Sequence, residues 1–380
     1  MREKILFVTE RRADYSKLRP VIRAVIDSGK FDYYLVVTGS HLMKRHGYTI
    51  NEIKSDGFRI YKKFKMFREN ETDDPSAMTA AFGRAVLSLT KIIRSLKPDI
   101  IFSGFDIGGN FAAAIIGAHM NIHVAHLEGG EITGTIDEPI RHATSKFAHI
   151  HFTSNKEATR RLVKMGEDPR HIFTVGNPSL DAIKSLKIVP RSELEKEFGI
   201  DLQKPLILVV QHTVTTEIND IDRYFLETIH AVKELDIQSI IIAGNTDAGS
   251  QKIRKIIRNS KMTHYDHLTF TKYISLLRHT SAIVGNSSSG IMEAPFLRVP
   301  SVNVGTRQEG RGKTASIINV GYDRAEIKKA IRKALSDKKF LAAVKKQKSL
   351  HGDGTAAKRI VRILEGLDLK KIPIQKKLAY

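Results

Sequence analysis

An α/β fold built as two Rossmann-like halves is predicted by three observations. Apolar runs of strand length alternate with helical patterns from the start of the chain, and the alternation restarts after a basic, polar stretch near 184–204. At 380 residues the chain is also longer than one ordinary core fills. Strands that are apolar throughout and separated by helices mark a parallel sheet covered on both faces.

In the first half the predicted strands are 4–9 (KILFVT), 33–39 (YYLVVTG), 98–104 (PDIIFSG), 122–128 (IHVAHLE), 148–154 (AHIHFTS) and 172–178 (IFTVGNP). Helical patterns occupy 16–28, 81–96 and 110–120. The second series is 205–212 (PLILVVQH), 239–244 (SIIIAG), 281–286 (SAIVGN) and 300–305 (PSVNVG). The expected boundary lies near Gly176–Asp181, with domains of 1–178 and 179–357. A helix starting near 356 and a basic tail complete the chain, and the segment 358–380 is expected to pack back on the first domain.

Composition narrows the function. Hydrophobic residues make up 41% and charged residues 27%, as in soluble globular proteins. No apolar run approaches the ~20 residues of a membrane span, and the first residues, MREKILFVTE, lack the apolar core of a signal peptide. A cytoplasmic protein with no membrane partner is expected. Absence of cysteine excludes disulfides, thiolate metal sites and cysteine nucleophiles. No histidine and carboxylate spacing suits a metal, and none is expected. The formal net charge of +21 invites a nucleic-acid reading. Lysine and arginine are nevertheless spread along the chain, with mild concentrations at 326–346 and 370–377, and no RNA-binding aromatic motif accompanies them. A generally basic surface without a nucleic-acid partner is the expectation.

Polar residues follow each strand, where open α/β sheets bind ligands. The tract His126–His142 (HLEGGEITGTIDEPIRH) concentrates Glu128, Glu131, Asp137 and Glu138 with two histidines and an arginine. Carboxylates in a glycine-containing loop after a buried strand suggest proton transfer; a solvated acidic loop is the alternative. Asp106, in GFDIGGN, is either a further carboxylate of that chemistry or a helix cap. Arg11 and Arg12 flank the first helix start without a glycine-rich dinucleotide fingerprint, which suits a phosphate or a plain surface pair. His212 ends the strand that opens the second half. GNSSSGIMEAP (285–295) is the main phosphate candidate, with a helix expected from about Gly290 and Glu293 one turn into it, placed to grip a sugar diol; a Ser-capped helix is the alternative. Arg307 and Arg311 in GTRQEGR add cations for a diphosphate.

Taken together, RADYSKL (12–18), VVTGSHL (36–42), HGYTINEI (46–53), HLEGGEITGTIDEPIRHA (126–143), VQHTVTTE (210–217), NTDAGS (245–250), GNSSSGIMEAP and GTRQEGR resemble the UDP-N-acetylglucosamine 2-epimerase family, in order over about 10–365. GTIDEPIRHA resembles the hydrolysing branch that serves sialic and related nonulosonic acids. The resemblance implies two Rossmann-like domains facing a central cleft, the glycosyltransferase-B type. It implies Asp106, Glu128 and Asp137 as catalytic carboxylates, and Arg12, His212, Asn245, Ser287, Ser288, Glu293 and Arg307 at the nucleotide. The implied reaction takes UDP-N-acetylglucosamine and water to N-acetylmannosamine and UDP without a cofactor, in a homodimer or homotetramer. Two departures stand out. The usual TGTRADY is TERRADY, and Ile107 stands where an arginine often follows the first catalytic aspartate, so another cation must serve the leaving phosphate or the substrate differs. The competing assignments are a hydrolysing epimerase of a 2,4-diacetamido-trideoxy nucleotide sugar, a non-hydrolysing epimerase (disfavoured by IDEPIRH), and a glycosyltransferase or nucleotide-sugar-binding protein of the same fold.

Overall fold

The protein is described by a computed structural model, which covers residues 2–69, 71, 74–105, 108–243 and 249–379. The chain divides into two compact units: 1–131 with 136–185 and 351–380, and 132–135 with 186–350.

In the first unit β1 (Glu3–Thr9), α1 (Arg12–Ser28), β2 (Phe31–Val37), α2 (Ile50–Ser55), β3 (Ile60–Lys63), α3 (Pro75–Leu96), β4 (Ile100–Gly104) and α4 (Gly108–His119) come first. They are followed by β5 (His123–Leu127), α5 (Asp137–Phe147), β6 (Ile150–Thr153), α6 (Lys156–Lys164), β7 (Ile172–Thr174) and α7 (Pro178–Lys184). The seven strands form one parallel sheet in the order β3-β2-β1-β4-β5-β6-β7. The order reverses beside β1, so the C-terminal ends of β1 and β4 flank the switch point where such sheets bind ligands. One face of the sheet packs on α1, through Leu18, Val21 and Ile22. The other packs on α3 and α4, through Ala85, Leu89, Ala112 and Ala113.

In the second unit the elements are α8 (Arg191–Phe198), β8 (Ile207–Val210), α9 (Ile221–Lys233), β9 (Ser239–Ile242), α10 (Ser250–Asn259), β10 (His264–Tyr265), α11 (Phe270–His279) and β11 (Ala282–Gly285). There follow α12 (Glu293–Phe296), β12 (Ser301–Val304), β13 (Ile317–Val320), α13 (Arg324–Ser336) and α14 (Lys338–Lys346). Six parallel strands run in the order β10-β9-β8-β11-β12-β13. The chain then returns to the first unit as α15 (Ala356–Gly366), whose Ile360, Val361 and Leu364 join the core beneath α1.

Three strands escape the sequence pattern: β3 (IYKK), β10 and β13 (IINV). All lie at sheet edges, where one side faces solvent and the apolar run is short or broken. The domain limits also shift. Residues 179–185 and 351–357, expected in the second domain, belong to the first unit, and 132–135 belongs to the second. The reason is local. Asp181 accepts from the N–H groups of Ala356 and Ala357 at 3.0 and 2.8 Å, so α7 caps the start of α15. The acid-rich tract is a loop only in part, because it turns helical at Asp137. Among the described residues no helix is long and apolar enough to cross a membrane.

Two buried histidines contribute to the acid response of the first unit. His41 lies between the hydroxyls of Thr9 and Thr49 at 3.0 and 2.6 Å. Burial, aided by the charge of Arg12, pushes its pKa down from 6.5 to about 3. Burial likewise pushes His149 down to about 4. Both are neutral in the fold and take up a proton when the chain unfolds below about pH 6.5, so their stabilising contribution is complete above that value and drains away toward pH 4 and 3. The melting temperature is therefore expected to fall from pH 6.5 to 4.5 in differential scanning fluorimetry. His149→Asn should flatten that slope; an unchanged slope would remove His149 from the acid response.

Candidate active site

The seventeen-residue acidic tract is sorted by where each side chain goes. His126 is fully buried, with Nδ1 3.1 Å from Ser145 Oγ, and burial holds its pKa well below the usual range, so it is a neutral core residue. Glu131 is buried and accepts from Ser154 Oγ and from Asn155 Nδ2. Arg141 is 1% exposed and donates to the Glu131 carbonyl at 3.2 Å. Glu138 faces His142 one turn along α5 at 3.6 Å. Glu128 and Asp137 are the two carboxylates of the tract that the family resemblance assigns to catalysis.

Glu128 follows β5 directly, in the left-handed region at φ 63°. For a side-chain-bearing residue that conformation costs about 1–2 kcal/mol, and it clusters at functional positions. Its N–H donates to the Phe152 carbonyl at 2.9 Å, which fixes the turn. The carboxylate is 2% exposed. Lys17 Nζ donates to Oε2 at 2.7 Å, and Asn177 Nδ2 donates to Oε1. The Lys17 ammonium also lies 4.9 Å from the centre of the Phe105 ring. Phe105 is left-handed too, at φ 72°, and immediately precedes the candidate Asp106, which lies outside the described residues. Asn177 caps α7 by accepting from Ser179 N–H at 2.9 Å, while its own N–H donates to the His351 carbonyl at 2.7 Å. The sequence carries no signal that marks Lys17 or Asn177 as a partner of Glu128. Asn-Pro at 177–178 signals a helix cap, and nothing in its spacing points to Glu128.

Asp137 is the first residue of α5 and half-buried. The positive end of a helix favours a carboxylate there. Arg12 opens α1, half-buried, where its charge acts on His41 and Glu52. Asp14 of the RADY motif works on the backbone, accepting from the N–H groups of Glu10 and Arg11 at 2.8 Å each. Burial raises its pKa to about 6 against those hydrogen bonds.

In the second unit Asn286 gathers the candidates. Its Oδ1 accepts from His212 N–H at 2.7 Å and its Nδ2 donates to the His212 carbonyl at 3.0 Å. Its own carbonyl accepts from Arg307 Nη1 at 3.3 Å and from Gln308 Nε2 at 2.8 Å. Gly285 permits this approach: its φ is 126°, and a Cβ there would lie 2.2 Å from the Val210 carbonyl oxygen. Ser287 and Ser288 follow Asn286, and Ser287 Oγ accepts from Ser289 N–H at 3.3 Å. The expected helix from Gly290 is replaced by a single 3-10 turn, Ser288–Gly290, and the four-residue α12. Glu293 is thus the first residue of α12, and it is buried. So short a helix carries little dipole, and the donors at this place are turn N–H groups, hydroxyls and Arg307. Arg311, expected as a second diphosphate cation, is 7% exposed and directs Nε to the Ile132 carbonyl at 2.9 Å. Asn245 lies outside the described residues.

Buried polar atoms crowd the strand ends here. Gln211 Oε1, Thr213 Oγ1, Ser289 Oγ and Gln308 Oε1 have no hydrogen-bond partner among the described residues. Such atoms call for a ligand or water, and they lie on the three segments that follow β8, β11 and β12. Among the described residues no group of three His, Asp or Glu side chains is arranged to hold a metal ion.

The family model described as UDP-N-acetylglucosamine 2-epimerase matches residues 23–365. The chain belongs to the UDP-N-acetylglucosamine 2-epimerase family. It is 36% identical, over 100% of both chains, to the UDP-N,N'-diacetylbacillosamine 2-epimerase (hydrolyzing) of Legionella pneumophila. It is 35% identical to the UDP-N-acetylglucosamine 2-epimerase of Neisseria meningitidis serogroup B, over 90% of this chain and 89% of that one. Its two parallel sheets with alternating helices match the glycosyltransferase-B type of this family, as in the Neisseria meningitidis UDP-GlcNAc 2-epimerase bound to UDP-GlcNAc: TM-score 0.83, 19% identity, covering 96% of this chain and 100% of that one.

For this epimerase-family chain, the Lys17–Glu128 contact is a testable constraint. Removing one partner of a buried ion pair costs about 3–5 kcal/mol, because the other charge stays buried. Lys17→Met should lower the midpoint of urea unfolding, and adding Glu128→Gln should restore part of it. Strict additivity of the two substitutions would mean that the pair is not coupled.

Proposed function

We propose that this chain is a hydrolysing 2-epimerase that converts UDP-N-acetylglucosamine and water to N-acetylmannosamine and UDP. The observation that carries the reading is that one tract, HLEGGEITGTIDEPIRHA (126–143), holds both Glu128, buried and with donors on both oxygens, and Asp137 at the start of α5. The word hydrolyzing in the name of the full-length Legionella relative supports the same branch.

The C2 hydrogen of the sugar is weakly acidic, so its removal is coupled to cleavage of the C1–O bond to UDP. One carboxylate takes the C2 proton as UDP departs, leaving 2-acetamidoglucal. Water then adds at C1 and a proton returns to C2 on the opposite face. Both Glu128 oxygens already accept hydrogen bonds, which suits a fixed negative charge beside the developing cation at C1. Asp106 and Asp137 are assigned the proton transfers. Arg12, His212, Asn245, Ser287, Ser288, Glu293 and Arg307 are assigned to UDP, with Arg307 and the hydroxyl turn supporting the leaving diphosphate.

A second reading keeps the reaction and changes the sugar to a 2,4-diacetamido-2,4,6-trideoxy nucleotide sugar. The Legionella relative is named for such a compound, and Ile107 stands in the sequence where an arginine often follows the first catalytic aspartate.

Proton NMR in D2O separates these. Free UDP with N-acetylmannosamine deuterated at C2 is expected from UDP-N-acetylglucosamine. Turnover of the diacetamido sugar alone would move the assignment to the second reading, and accumulation of UDP-N-acetylmannosamine would overturn hydrolysis. Asp137→Asn should abolish turnover with UDP affinity kept; turnover near wild type would remove Asp137 from the chemistry. Arg307→Ala should weaken UDP binding about tenfold or more, the size of one charge-assisted hydrogen bond. Unchanged affinity in calorimetry would take Arg307 out of the nucleotide site.

A further inference from the structure

Glu217 closes the tract VQHTVTTE, which begins on β8 and includes His212. A single 3-10 turn, Thr215–Glu217, brings its carboxylate against two hydroxyls. Thr306 Oγ1 donates to Oε1 at 2.6 Å, and the Tyr322 hydroxyl donates to Oε2 at 2.5 Å. The Tyr322 oxygen in turn accepts from Thr306 N–H at 3.5 Å. Glu217, Thr306 and Tyr322 thus close a ring of three contacts, all within the second unit.

The ring is braced from behind. Tyr322 stacks on Tyr224 of α9, with ring centres 3.8 Å and planes 4° apart. Gly305 passes against the same ring at φ 75°, and a Cβ there would lie 2.2 Å from Tyr322 Cζ, so only glycine fits. Burial, and after it the bond to Glu217, raise the pKa of Tyr322 above its ordinary value, so the hydroxyl keeps its proton and remains a donor.

These contacts join segments that the sheet keeps apart. β8 and β12 both pair with β11 and not with each other. At the end of β11 stands Asn286, which binds the backbone of His212 and accepts from Arg307 Nη1. The segment after β8 is therefore tied twice, at His212 to Asn286 and at Glu217 to Thr306, the residue before Arg307. Arginine carries much rotamer entropy, and a guanidinium placed ahead of binding forfeits less of it when the ligand arrives.

We propose that Glu217 is a positioning residue for Arg307: its carboxylate fixes the backbone at Thr306 and so presents the guanidinium to a nucleoside diphosphate. The inference rests on the reading of Arg307 as a UDP contact. Both Glu217 oxygens accept from protein hydroxyls, and a carboxylate offers a diphosphate no donor, so the role runs through the loop and not through the ligand.

The test is UDP affinity, by calorimetry, in the wild type, Glu217→Gln, Arg307→Ala and the double variant. Glutamine keeps the shape of the side chain but turns a donor toward one of the two hydroxyls. Glu217→Gln should weaken UDP binding about fivefold or more when Arg307 is present, and less than about twofold in the Arg307→Ala background. Thr306→Val, which removes only the hydroxyl donor, should show the same dependence on Arg307. Equal losses in both backgrounds would overturn the proposal and leave Glu217 a general support of the fold. Unchanged affinity in both Glu217→Gln and Thr306→Val would overturn it as well. If Arg307→Ala alone keeps full affinity, the assignment of Arg307 to UDP falls, and the positioning role falls with it. If the coupling is found but the wild type releases no UDP from either sugar, the positioning role stands and the proposed reaction falls.

Discussion

A buried carboxylate on a left-handed backbone governs the first unit. Glu128 combines two costs: the conformation at φ 63° and the removal of a charge from water. An uncompensated buried ion costs several kcal/mol, more than any single surface contact returns. Compensation comes from three separate pieces of chain: Lys17 on α1, Asn177 at the cap of α7 and the Phe152 carbonyl on β6. Asn177 is itself fixed by the His351 carbonyl, at the point where the chain re-enters the first unit. The need to hold one carboxylate thus helps explain why α7 and the segment after 350 belong with the first sheet.

This dependence marks the limit of what spacing reveals. The central strands were legible because burial on both faces makes them apolar throughout, as in ILFV on β1 and IIF on β4. The edge strands β3, β10 and β13 were not, since a strand paired on one side tolerates lysine, histidine and asparagine. The tract 126–142 was legible as a place for chemistry but not as a division of labour. Its residues are sorted by partners 24, 49 and 111 positions away: Asn155 for Glu131, Asn177 and Lys17 for Glu128. Such pairings follow from sheet order and leave no periodic trace. The serine-rich turn shows the converse. Its residues are where the sequence suggests, yet the helix assumed behind them shrinks to one turn, with Pro295 inside it and the left-handed Arg298 (φ 61°) after it.

Part of the large positive charge serves structure. Lys376, in the basic tail, reaches Glu167 at 2.5 Å and the carbonyls of Ser145 and Lys146 at 2.9 and 3.1 Å. Burial would raise the pKa of Glu167, but hydrogen bonds and charge from His151 and Lys376 prevail and hold it at about 2. The tail is thereby tied across β5 and β6, with His123 and His149 meeting the carbonyls of Ile372 and Ile374. Other cations have different surroundings. Lys338, Lys339, Lys345 and Lys346 on α14 are exposed, where a charge is solvated at little cost and contributes mainly to the field around the protein.

A contrast in surroundings likewise separates the two carboxylates of the tract. Glu128 is held by its own unit through three contacts that need no ligand. Asp137 starts α5 and is half-buried. In the proposed reaction these differences match the tasks. A charge that stabilises a developing cation works best when it costs no reorganisation at the moment of bond cleavage. A proton-transferring group must reach the substrate, which suits the half-buried Asp137 better than the 2%-exposed Glu128. Placing the first carboxylate at a strand end and the second at a helix start lets one short tract meet both requirements.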